Sequence, residues 1–268
     1  MILSTHGIIG SSVTVASGDA DALAFFTAAG ITDTTQKSAV NTLVTDLKAA
    51  NIWTKIKALY PFVGGTAAQH RFNLKSPGTT NTDFYLTFIG GWTHSSTGAL
   101  PNGTTGYADT FLTPSTSLSL NSTHISYYSR TNSSGINFAI GSGYNTFASD
   151  LQIAPRWVDN NTYYRVNSTS GSGENTGADS RGLFIANRIS NSETRNYRNS
   201  TRYVLSLASN SLNTNSLYIS STNVSNTPTT YNDREVSLSS IGDGLSDTEA
   251  LNFYNAVQAF QITLGRQF

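Results

Sequence analysis

The 268-residue chain contains no cysteine, so neither a disulfide framework nor a thiolate metal site can be built. Stability has to come from packing and hydrogen bonding. Charge is scarce as well. Asp, Glu, Lys and Arg make up 12% of the residues, and the basic and acidic groups, 16 of each, cancel to a net charge of zero. A protein that reads phosphates needs a Lys/Arg-rich face. The nearest approach to one, Arg195, Arg198 and Arg202, reads as a solvated strand or loop, so nucleic acid is not expected as a partner. No stretch offers the ~20 apolar residues of a membrane-spanning helix. Met1 to His6 lacks the basic start and apolar run of a signal peptide. The expectation is a soluble protein made in a cytoplasm.

What the chain has in quantity is Asn, Ser, Thr and Gly, a surface of neutral amides and hydroxyls. That composition fits secreted adhesins, carbohydrate-binding domains and the shell or fibre proteins of virus particles. Aromatic and apolar residues interrupt the polar tracts every few positions, which argues against disorder.

Residues 1 to 17 read as an extended arm whose apolar side chains, Ile2, Leu3, Ile8, Ile9, Val13 and Val15, suit an assembly role. Residues 18 to 63 read as helical. Asp19 and Asp21 open a short helix that stops at Gly30, and Asp33 with Gln36 opens a second whose apolar face is Val40, Leu43, Val44 and Leu47. Ile52, Trp53, Ile56 and Leu59 suggest a third short turn halted by Pro61. From residue 64 the period changes to two. Strands are expected around His70 to Leu74, Phe84 to Phe88, Ile125 to Ser129, Ile136 to Ile140, Leu151 to Val158, Tyr163 to Val166, Gly182 to Ile189, Tyr203 to Leu207, Ser216 to Ile219 and Val236 to Leu238. Many short strands without long helices between them predict a mainly β fold, an antiparallel β-sandwich of jelly-roll type. A helix closes the chain: Ser246 and Glu249 form a capping box, Phe253, Ala256, Val257, Phe260 and Leu264 form its stripe, widened by Leu251 and Tyr254, and Gly265 stands at the C-terminal cap. This helix is read as part of the sandwich domain, 64 to 268.

Several stretches resemble a family of tailed-bacteriophage structural proteins with a concanavalin A/laminin-G-like jelly roll. They are Asp19-Ala20-Asp21-Ala22, Trp53 to Gly65, Gly91-Trp92-Thr93-His94-Ser95, Ala108 to Leu112, His124 to Thr131 and the ending from Ile241 to Arg266. The resemblance implies a non-enzymatic virion component of fibre, tail or head decoration, located in the virion. It also implies other virion proteins as partners and a homo-oligomer, trimeric by family analogy. Glycan binding for host attachment is the alternative, and a glycan-degrading enzyme the second alternative.

Sugar rings stack on flat aromatic faces, and Trp92, Trp157, Tyr163, Tyr164 and Tyr197 are the candidates for such a surface, with core packing as the competing fate. A retaining glycosidase needs two carboxylates about 5 Å apart. Asp233 and Glu235, two apart and on one side of a strand, are the best pair available. His6, His70, His94 and His124 show no metal-ligand spacing. No cofactor is expected. Calcium is the one candidate, through loop oxygens of Asp109, Asp159 and Asp179, against which stands ordinary turn chemistry.

Overall fold

The computed structural model describes residues 18 to 143, 149 to 168, 173 to 174 and 177 to 268. The apolar arm of residues 2 to 15 lies outside them.

Two helices come first, and their caps are those the sequence signals. In α1 (Ala20–Ala29) the Asp19 side chain accepts from the Asp21 N–H, and Gly30 takes the left-handed conformation at φ 63°. In α2 (Thr34–Ala49) the Asp33 side chain accepts from the Gln36 N–H, and Val40, Leu43, Val44 and Leu47 are buried. The next element departs from expectation. Ile56 to Tyr60 is a strand, β1, not a helical turn. Its Ala58, Leu59 and Tyr60 pair with residues 239 to 241 of the penultimate element, and sheet pairing outweighs a weak local helical signal.

There follow α3 (Ala67–His70), a 3-10 turn (Asn81–Asp83), β2 (Thr87–Ile89), β3 (Trp92–Ser95), β4 (Gly98–Pro101), β5 (Tyr107–Asp109) and α4 (Pro114–Ser117). Then come β6 (Thr123–Ser129), β7 (Ile140–Gly143), β8 (Asp150–Ala154), β9 (Thr162–Ser168), β10 (Gly173–Glu174), β11 (Gly182–Arg188), β12 (Thr194–Arg198) and β13 (Thr201–Leu205). The chain ends with β14 (Tyr218–Ile219), β15 (Thr222–Val224), β16 (Thr227–Thr229), β17 (Val236–Gly242) and α5 (Asp247–Thr263). His70 to Leu74 is therefore not a strand: His70 ends a helix, and Asn73 forms only an isolated bridge to Ser76. The Phe84 and Leu86 alternation falls in a turn because Phe84 adopts φ 57°, which breaks extended backbone.

The strands form a sandwich. One sheet runs β13-β12-β11-β6-β17-β4-β3, with β1 also on β17. The other runs β10-β9-β8-β7-β14-β5-β2, with β15 also on β7 and β16 on β15. All ladders are antiparallel except β15 with β7. Between the sheets lies one core, including Ile125, Tyr127, Phe184, Ile241, Ile140, Ile153, Tyr164 and Val166. The first sheet is covered on its other face too. Tyr128, Leu183, Ile185 and Leu238, the alternate residues of the same strands, pack with α1, α2 and α5 in a second core. That is why β6, β11 and β17 are buried at every position.

In α5 the capping box forms in both directions and Phe253, Ala256, Val257 and Phe260 are buried. Gly265 follows at φ 65°. Leu251 is the exception, 45% exposed, because it sits on the helix face turned away from the sheet.

Three arginines are fully buried, which no sequence pattern announces. Each spends its guanidinium mainly on carbonyl oxygens rather than on a carboxylate. Arg188 donates to the carbonyls of Val166 and Leu207. Arg234 donates to those of Ser133 and Arg156. Arg266 donates to Pro61, Phe62 and Ser237.

Candidate functional site

The β8–β9 connection builds the recess. The Trp157 N–H donates to the Asn161 carbonyl at 2.8 Å and the Asn160 N–H to the Trp157 carbonyl at 3.0 Å. Asn160 takes φ 67°, a conformation Asn tolerates better than most residues. Asp159 then accepts from the Asn161 N–H at 3.0 Å and from the Tyr163 hydroxyl at 2.7 Å. The N–H of Asn161, together with that hydroxyl, holds the Asp159 carboxyl below the usual carboxylate range. The same hydrogen bond, with some burial, raises the Tyr163 phenol. The loop thus fixes both aromatic rings.

Trp157 and Tyr163 are 5.6 Å apart at their centroids, and Trp157 is 5.5 Å from Phe138, which precedes β7. Arg165, two residues beyond Tyr163 on the same face of β9, lies 5.4 Å over the Phe138 ring. These four residues line a recess of 240 Å³. Arg165 does not swing freely. Its Nη1 donates to Asp150 Oδ2 at 2.9 Å and to Gln152 Oε1 at 3.1 Å. The β8–β9 register sets Gln152 directly opposite Arg165. A wall of three rings with one anchored guanidinium can stack on the apolar face of a small ring and hydrogen-bond its polar edge.

Of the five aromatic candidates, the structure brings together Trp157 and Tyr163 alone. Trp92, on β3 in the other sheet, donates its Nε1–H to the carbonyls of Ile89 and Tyr107 and packs on Phe88 and His94. It borders a separate recess of 250 Å³ with Leu100, Pro101 and Asn102. Tyr164 points into the inter-sheet core because alternation turns it opposite to Tyr163, and its hydroxyl donates to the Tyr197 carbonyl. Tyr197 is buried under the helical layer with its hydroxyl on Asp247. Neither can stack on a ligand. Phe138, Arg165, Asp150 and Gln152 were missed from sequence, although the period-two rule that separates Tyr163 from Tyr164 also puts Arg165 beside Tyr163.

The carboxylate pair fares otherwise than expected. Asp233 and Glu235 precede β17 and do not share a strand face. Asp233 accepts from the Ser133 hydroxyl at 2.8 Å. Glu235 is paired with Arg130 at 2.9 Å and bonded by Thr97 at 2.6 Å. A Ser–His contact exists, Ser240 Oγ to His124 Nε2 at 3.0 Å with His124 Nδ1 donating to the Asp243 carbonyl, but it is sealed beneath α5 with both residues fully buried.

Asp109, Asp159 and Asp179 each accept the N–H of the residue two positions on, Phe111, Asn161 and Arg181 respectively. That is the turn motif, and Asp179 is further engaged by the Arg181 guanidinium. Among the described residues no group of three or more His, Asp or Glu could hold a metal ion. No helix among them is long and apolar enough to cross a membrane.

No family model matches the chain, and no curated protein matches it. Solved structures do. The chain is similar to Trypanosoma rangeli sialidase in complex with 2-keto-3-deoxy-D-glycero-D-galacto-2,3-difluoro-nononic acid, at 7% identity and a TM-score of 0.50, over 81% of this chain and 39% of that one. It is also similar to domain 4 of an extracellular arabinanase from Geobacillus stearothermophilus in complex with arabinotriose. The identity there is 13% and the TM-score 0.48, over 74% of this chain and 98% of that domain. The CBM40 of Ruminococcus gnavus IT-sialidase aligns at 13% identity and a TM-score of 0.36, over 50% of this chain and 82% of that one. At 7% identity the likeness to the sialidase is one of fold alone. This chain spans about two fifths of the length of the sialidase it matches.

Proposed function

We propose that the protein is a non-enzymatic glycan-binding module. The observation that carries this reading is the recess of Phe138, Trp157 and Tyr163 with Arg165 anchored beside it. Flat apolar faces beside a polar guanidinium suit a sugar ring, which has a C–H face and a polar rim. The engagement of Glu235 by Arg130 and Thr97 argues against a hydrolytic pair.

The setting on a bacteriophage particle, among fibre, tail or decoration proteins and in a homo-oligomer, rests on the sequence resemblance alone. It gives the module a role, attachment to a host surface, that the recess is suited to perform.

The test is a screen of the purified protein against bacterial surface polysaccharides and short oligosaccharides, with Trp157→Ala and Tyr163→Ala beside it. Binding that weakens at least about tenfold, ~1.4 kcal/mol, on loss of either ring supports the reading. No binding to any glycan, or binding indifferent to both variants, overturns it.

A further inference from the structure

The one cation that lines the recess is already matched by a carboxylate. Arg165 is held by the carboxylate of Asp150, whose side chain is 1% exposed, and by the neutral amide of Gln152. At the rim, Asp159 accepts from Tyr163. The lining cation thus meets a buried carboxylate, and Glu174, paired with Thr162 on the adjoining strand β10, adds a further negative charge nearby. The segments 144 to 148, 169 to 172 and 175 to 176, which adjoin these strands in the chain, contain no Asp, Glu, Lys or Arg, so they add no charge. A guanidinium already neutralised by a buried carboxylate exerts little net attraction on an anion. The volume of 240 Å³ falls below the ~300 Å³ at which pockets for drug-sized ligands begin, which leaves room for one ring.

Resting on the glycan reading above, we infer that the recess takes a single uncharged sugar ring, at a chain end or side branch, and discriminates against sialylated or uronic-acid residues. Asp150 is then the specificity-determining group. It fixes Arg165 in place and cancels the charge that would otherwise draw carboxylates.

The experiment measures binding of neutral hexose methyl glycosides and of sialic-acid and hexuronic-acid glycosides to the full chain between ~50 and ~500 mM salt. A parallel set uses Asp150→Asn. The expected result is preference for a neutral sugar, with affinity changing less than about twofold over the salt range. Asp150→Asn should raise affinity for the carboxylated sugars by about fivefold at low salt and should make it salt-dependent. Because Asp150 is buried, the thermal midpoint of the variant is recorded. If it does not fold, the wild-type salt series and sugar preference decide alone. Tighter binding of acidic sugars that weakens as salt rises overturns this inference while leaving the glycan reading intact. Absence of binding to either class overturns both.

Discussion

Arg266→Met removes a buried cation that ties four parts of the chain together. Its guanidinium donates to the carbonyls of Pro61 and Phe62 at 3.0 Å each, of Ser237 at 3.1 Å and of Thr97 at 3.4 Å, while Nε donates to Gln261 Oε1 at 2.8 Å. These acceptors belong to the segment after β1, the β3–β4 hairpin, β17 and α5. Burial works against the charged form, Arg130 adds repulsion, and Glu235 offers a nearby attraction. The side chain is therefore costly to place, and deleting it recovers part of that cost. What is left behind is five oxygen acceptors without their donor, each worth about 1 kcal/mol or more when buried. Methionine keeps the apolar stem beside Phe260, so little packing is lost. We expect a net loss of about 3 to 4 kcal/mol, seen as a fall of about 10 °C in the thermal midpoint by calorimetry. Arg266→Lys, which keeps the charge without the planar fork, should recover less than half of it. A variant Arg266→Met as stable as the wild type would refute the reasoning, since buried charges have elsewhere been replaced by apolar residues at no loss.

Other perturbations follow from single contacts. Ser246→Ala breaks the capping box of α5 and should cost about 1 kcal/mol by denaturant midpoint, with no change in slope. Gly242→Ala would set a Cβ 2.2 Å from the Lys55 carbonyl oxygen and 2.9 Å from His124, so it should disrupt the β1–β17 pairing and lower the yield of folded protein. Burial lowers the pKa of His124 to about 4 and that of His70 to about 3, in the latter case with His94 and Arg266 adding to the effect. Both therefore fold neutral while the unfolded chain takes up protons below pH ~6.5. Their stabilisation is complete above that pH and is lost as pH falls from 6.5 towards 4, at about 1.4 kcal/mol per pH unit for each. Burial also lowers His94, so His124→Asn should reduce that slope between pH ~6 and ~5 by about a third, and an unchanged slope would mean that His124 is not buried neutral.

Much of the fold was legible because its signals are local. Caps at Asp19, Asp33 and Ser246 and the apolar stripe of Phe253 to Phe260 depend on neighbours within a turn or two, and all appear as read. Period two located β6, β9, β11 and β17 for a similar reason. It could not show that the first sheet is buried on both faces, since the residues that cover its outer side come from helices at both ends of the chain. Strand β1 was misread on the same ground: Ile56 and Leu59, three apart, are spaced for a helix, and only pairing with β17, some 180 residues later, with a register shift between Ile56 and Ala58, draws them into a strand with both on the helical side.

The recess shows where local reading stops. Alternation along β9 separates Tyr163, which faces out, from Tyr164, which faces the core, yet both stand as candidates until the strand's orientation is known. Which aromatic residues meet Tyr163 was not legible, because Phe138 and Trp157 lie on different connections and converge only once β7, β8 and β9 are in register. The same register sets Gln152 opposite Arg165, and Asp150, two residues from Gln152, reaches the same guanidinium. A one-residue slip between β8 and β9 would turn Arg165 away from both partners and leave its charge unbalanced beside the rings. The chemistry of the recess is therefore a property of strand pairing rather than of any motif, and a guanidinium neutralised by the next strand is indistinguishable in sequence from a free one.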